Sequence, residues 1–115
     1  MDLSYEDLED GVRLIRLSGR LDMEGADAID LKLTSLAAVQ KGYVVLDLAL
    51  VEFMASIGVS VIVRTARAQT SREGRLVLLS PKPNVHDVLV RTQIDRMIPV
   101  FHDLGAAREA VRAPA

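Results

Sequence analysis

Tyr43-Val44-Val45-Leu46-Asp47-Leu48, and the segment from Ser56 to Thr70 that follows it, decide how this chain folds. An apolar run broken by one acid reads as a strand covered on both faces, the usual character of a central strand in a parallel sheet. From Ser56 the spacing becomes helical. Val59, Ile62, Val63, Ala66 and Thr70 fall on one stripe, with Ser60, Arg64, Arg67 and Ser71 on another. The helix is expected to stop near Glu73-Gly74, because glycine is favoured just past a last helical turn. Arg75 to Ser80 then carries Leu76-Val77-Leu78-Leu79, a second buried strand. Strand, helix and strand in that order make a parallel crossover unit.

Upstream of this unit, Leu3 to Glu9 and Val12 to Ser18 read as an antiparallel pair joined at Asp10-Gly11, a good hairpin turn. Gly19 is expected to end the second strand. Helical spacing follows from Asp22, a plausible N-cap, with Ala26, Ile29, Leu33, Leu36 and Ala37 on one face. Downstream, Pro81 and Pro83 punctuate the chain before Val85, Val88 and Leu89 resume helical spacing to about Arg91. Met97 to Phe101 reads as a short strand, and Asp103 as the cap of a last helix through Leu104, Ala107, Ala110 and Val111. The pattern is α/β, a mostly parallel sheet with helical crossovers and an antiparallel edge.

The chain has 115 residues, 50% of them hydrophobic, which suits one compact domain. A net charge of -2, with no basic stripe and only two Tyr and two Phe, argues against direct nucleic-acid binding. No cysteine occurs, and the two histidines lie outside any ligand motif, so neither a metal nor another cofactor is expected. Met1 to Asp10 is acidic where a signal peptide is basic and then apolar, and no apolar run is long enough to span a membrane. A soluble, unprocessed, cytoplasmic protein is the expectation.

Catalytic patterns are weak. Ser56 stands at a strand-to-helix turn, yet a nucleophile elbow needs glycine two residues before the serine, where Met54 stands. His86 and His102 are isolated from it in the sequence, and no Gly-x-x-x-x-Gly-Lys loop occurs. Asp22 and Asp47 fall next to the ends of expected elements, where a helix cap and a turn acid are their ordinary roles.

Five segments in order resemble the STAS domain family, in particular its single-domain anti-sigma factor antagonists. Gly19-Arg20-Leu21-Asp22 is similar to the family's Gly-x-Leu-Asp, and Val44 to Leu48 to its central strand. Phe53-Met54-Ala55-Ser56-Ile57-Gly58-Val59 is similar to the family's Phe-Met-Asp-Ser-Ser-Gly-Leu. Gly74-Arg75-Leu76-Val77-Leu78 and Ile94-Asp95 also fit. The resemblance implies a STAS-like mixed, mostly parallel sheet of about five strands with about four helices. It spans residues 1–112, with 113–115 a short tail.

The resemblance also implies a mechanism by binding, with no enzyme activity. Ser56 matches the family's phosphoacceptor, modified by a serine kinase that is also the anti-sigma factor and restored by a serine phosphatase. The unphosphorylated form captures the anti-sigma factor and so frees the sigma factor. Two positions depart from the pattern: Ala55 replaces the family aspartate, and Ile57 replaces the second hydroxyl residue. If these abolish phosphorylation, the alternative is a STAS subunit or regulator of a transport system. On a helical wheel Ile57, Val61 and Ala68 fall opposite the stripe assigned to the sheet, beside Ser56, Ser60 and Arg64. Asp22, Ile57, Gly58, Ser60, Val61 and Arg64 are therefore the expected partner-binding residues, with Val61 in an exposed apolar patch.

Overall fold

The computed structural model describes residues 1–37 and 42–113. The chain runs β1 (Asp2–Asp7), β2 (Val12–Leu21), α1 (Met23–Ala37), β3 (Tyr43–Met54), α2 (Ser56–Ser71), β4 (Arg75–Leu79), α3 (Pro83–Arg91), α4 (Ile94–Met97), β5 (Val100–Phe101) and α5 (Leu104–Arg112). The five strands form one sheet in sequence order, antiparallel between β1 and β2 and parallel thereafter. The short tail expected at 113–115 lies, beyond Ala113, outside the described residues.

Strand order explains the layers. Each parallel step moves the same way across the sheet, and right-handed crossovers then put every connecting helix on one face. Ile15 and Leu17 of β2, Val44, Leu46 and Leu48 of β3, and Leu76 and Leu78 of β4 pack on that side with α1, α2 and α3. Alternate residues point the other way: Val12, Leu14, Val45, Val77 and Leu79 meet Ala107 and Val111 of α5. Because α5 follows the last strand and crosses over to nothing, it is free to cover this second face. Both faces of β3 are thus covered from Val44 to Leu48, as the apolar run implies.

Three boundaries differ from the sequence expectation. Gly19 does not end β2. It sits at φ +109° in an irregular stretch of the β2–β3 pairing, and the strand continues to Leu21 opposite Met54. β3 accordingly runs on past Leu48 to Met54. At the far edge, Ile94–Met97 forms a single helical turn, and the strand expected from Met97 shrinks to Val100–Phe101. Pro99 limits it, having no N–H to extend the ladder.

The helix caps follow the sequence. Asp22 Oδ1 accepts from the Gly25 N–H at 2.9 Å, and Asp103 accepts from the Ala106 N–H at 2.8 Å. Asp10 ties the β1–β2 turn to α5, its carboxylate 2.8 Å from Arg108 Nε and 3.5 Å from Arg112 Nε. The Arg108 hydrogen bond holds the Asp10 carboxyl below its ordinary value, against the opposing effect of desolvation.

Candidate functional site

Ser56 opens α2 and is exposed. It does not cap the helix. The capping position belongs to Ala55, in extended conformation (φ -97°, ψ 168°), whose methyl group accepts nothing. The Ala55 carbonyl receives the Gly58 N–H at 2.9 Å and the Val59 N–H at 3.3 Å. The N–H groups of Ser56 and Ile57, and the Ser56 hydroxyl, have no protein partner among the described residues. A hydroxyl on the first turn of a sixteen-residue helix is therefore accessible, next to orphan donors and the positive end of the helix dipole.

The turn is held from below. The Ala55 N–H donates to the Leu21 carbonyl at 3.0 Å, which locks the start of α2 to the end of β2. Gly58 completes the seat: a Cβ there would stand 2.5 Å from Leu21 Cγ and 2.9 Å from the Leu21 carbonyl oxygen. Gly58 is thus buried and structural, a correction to its expected place on a partner surface, because absence of a side chain is what allows the contact.

Val61 requires the larger correction. It is 1% exposed and belongs to the main core, so the proposed apolar patch at this position does not exist. The buried arc of α2 comprises Gly58, Val59, Val61, Ile62, Thr65 and Gln69, turned by about a quarter of the wheel from the stripe counted in the sequence. Thr65 and Gln69 caused the error, since both are polar yet fully buried. Thr65 donates its hydroxyl proton to the Val61 carbonyl at 2.8 Å, and Gln69 Nε2 donates to the Gly42 carbonyl at 2.9 Å. Gly58 adds no apolar signal, and α1 packs on this side as well as the sheet.

The polar stripe lies where the sequence placed it. Ser56, Ser60, Arg64, Arg67 and Ser71 are all exposed. Ile57 is 39% exposed beside them, and Arg64 forms a 3.0 Å ion pair with Asp30 of α1. Asp22 is half-buried and occupied as the α1 cap, with Arg20 Nε 3.6 Å away. The Gly25 hydrogen bond lowers its pKa, opposed by desolvation and assisted by the Arg20 charge. Asp22 and Asp47 do not meet: Asp47 pairs beside Arg16 well down the sheet, whereas Asp22 stands past the Leu21–Met54 pair.

Two clefts flank Ser56. Met54, Ala55, Val88, Arg91 and Thr92 line one with it, and Val59, Ser60, Val63, Arg64, Arg67, Thr92 and Ile94 line the other. Neither contains a histidine; His86 and His102 instead lie against each other, ring centroids 6.0 Å apart. Arg91 and Arg67 have no carboxylate partner among the described residues. The prolonged β2–β3 end adds features the sequence reading missed by closing these strands too early. Phe53 is 37% exposed beneath the Arg20 guanidinium at 4.4 Å, and Met23 is 68% exposed at the start of α1. No period-two alternation marks this extension, because the register shifts place the buried residues Leu48, Val51 and Met54 three apart; its sign in the sequence is that Leu50, Val51, Phe53 and Met54 prolong the apolar run.

Comparison with known proteins gives a consistent result. The profile described as STAS domain matches residues 7–107. BtrV of Bordetella bronchiseptica is 31% identical over 105 residues, covering 90% of this chain and 89% of its own. The anti-sigma F factor antagonist of Paenibacillus polymyxa is 27% identical over 92 residues, 79% of each chain. Among solved structures, an anti-sigma factor antagonist from Mycobacterium paratuberculosis superposes with a TM-score of 0.85 at 26% identity, covering 97% of this chain and 94% of that one.

Proposed function

Because this chain belongs to the STAS domain family, we propose that it is an anti-sigma factor antagonist, acting by binding an anti-sigma factor and switched by phosphorylation of Ser56. The observation that carries this reading is the state of Ser56, exposed on the first turn of α2 with its hydroxyl and neighbouring N–H groups unengaged among the described residues. Relatives named as anti-sigma factor antagonists support the general function. The partner surface comprises Ser56, Ile57, Ser60 and Arg64 on the outer stripe of α2, with Asp22, Met23 and Phe53 at the adjoining end of the sheet. The protein works by association in the cytoplasm and carries out no chemistry itself. Among the described residues no helix is long and apolar enough to cross a membrane.

Charge is the switching agent. A phosphate adds about 1.5 to 2 negative charges at neutral pH, which the helix dipole and Arg91 in the adjoining cleft stabilise in the free protein. The same charge opposes docking of an apolar partner surface against Ile57 and Phe53, since taking it out of water against apolar groups is costly. A serine kinase that is itself the anti-sigma factor would install the phosphate, and a serine phosphatase would remove it.

Intact-mass analysis after incubation with the cognate kinase and ATP tests the site. One added phosphate is expected on the native chain and none on Ser56→Ala. A phosphate acquired by Ser56→Ala would place the switch elsewhere.

A further inference from the structure

β4 is the last full-length strand of the sheet, yet β5 covers only its second half, through the pairs Leu78↔Val100 and Leu79↔Phe101. The Leu78 N–H donates to the Pro99 carbonyl at 2.9 Å and the Ser80 N–H to the Phe101 carbonyl at 2.7 Å. In a parallel ladder, residues two apart direct their N–H and C=O to the same side. The backbone groups of Leu76 therefore face the same edge. On the other side, the Arg75 N–H goes to the Gly42 carbonyl at 2.9 Å. The next ladder donor for the Leu76 carbonyl would be residue 99, a proline with no N–H to give. Among the described residues, neither the N–H nor the C=O of Leu76 has a partner.

These groups open into a cleft of about 290 Å³. Ala66, Arg67 and Thr70 of α2 form one wall, Ala110 of α5 the other, and Met97, Ile98 and Pro99 the end. Both helices present a small alanine at the cleft, which leaves access to the strand edge. The walls are apolar with a positive charge at the rim. Met97 is 53% exposed, while Arg67 and Arg75 lack a carboxylate partner among the described residues. Arg75, on the face of β4 that α5 covers, donates to the Ala110 carbonyl at 3.3 Å.

We propose that this edge is a second binding site, sharing only Arg67 with the clefts beside Ser56, which takes a short extended acidic segment of a partner protein as an added strand. The segment hydrogen-bonds to the Leu76 N–H and C=O, continues the line of β5, packs an apolar side chain on Met97, and places a carboxylate at Arg67. Strand addition is a common way to satisfy an open sheet edge, and the charge at the rim selects an acidic segment over a basic one. The cleft lies toward the C-terminal half of α2, so occupancy here leaves the start of that helix free.

The test uses the full chain and peptides of alternating valine and glutamate, alternating valine and lysine, and an N-methylated form of the acidic peptide. NMR titration would follow the Leu76 amide. The acidic peptide should shift this resonance and slow its hydrogen exchange. The lysine peptide should bind at least about tenfold more weakly, the N-methylated peptide should lose the protection, and Arg67→Glu should abolish the charge preference. A Ser56→Asp chain should bind like wild type, so failure at this edge is separable from failure of the phosphorylation reading. Equal binding of acidic and basic peptides, or binding without protection of Leu76, would overturn the proposal. Protection that rises with protein concentration alone would also overturn it, by showing a second copy on the edge.

Discussion

Val61→Glu should unfold the domain at moderate temperature, with little bearing on any partner surface. Val61 is 1% exposed and packs in the cluster that joins α1, α2 and the sheet. The glutamate would carry a charge into that space with no cation in the cluster to meet it, and a buried unpaired charge is among the most destabilising single changes. A loss of about 4 kcal/mol or more is expected, enough to lower Tm by roughly 15 °C in a domain of this size. Ile57→Glu is the matched control. Its side chain is 39% exposed, so its effect on Tm should stay small. Thermal unfolding followed by circular dichroism decides the point, and a Val61→Glu chain as stable as wild type would mean that α2 is rotated on its axis.

Gly58→Val should cost about 3 kcal/mol, in the upper part of the usual range for overpacking. The added Cβ meets Leu21 Cγ at 2.5 Å and the Leu21 carbonyl oxygen at 2.9 Å. That oxygen already accepts the Ala55 N–H at 3.0 Å, so relieving the overlap displaces the hydrogen bond that seats the helix start. Gly58→Ala should be milder, since its better helix propensity, worth about 1 kcal/mol, offsets part of the clash. Chemical denaturation measures both. Equal stability of the valine variant and wild type would show that α2 does not sit on Leu21.

The sequence was informative where hydrophobic periodicity and burial coincide. The run Tyr43 to Leu48 identified the central strand, and Asp22 and Asp103 marked helix starts that they do cap. It misled where burial is achieved by residues that do not look buried. Thr65 and Gln69 enter the core by hydrogen-bonding to backbone carbonyls, and Gly58 enters by having no side chain. A wheel that counts apolar residues gives these three no weight, so the stripe it selects is rotated and Val61 falls outside it. The ends of β2 and β3 were illegible for another reason: Gly19 reads as a stop, whereas here it serves an irregular pairing that carries both strands onward. Phe53 and its neighbour Arg20 became visible as a surface only with that extension.

The exposed helix start at Ser56 was legible in the sequence, while the place of Ala55 at the capping position was not. Ala55 occupies the cap without capping, which leaves α2 with unengaged donors where the family's aspartate could accept a hydrogen bond. The proposed switch therefore depends on the charge of the phosphate itself. The measurement that tests this most directly is calorimetric titration of the cognate anti-sigma factor with the native chain, unphosphorylated and phosphorylated at Ser56. The unphosphorylated chain should bind, and phosphorylation should weaken the affinity by at least about tenfold, or 1.4 kcal/mol. Equal affinity of the two forms would contradict the account.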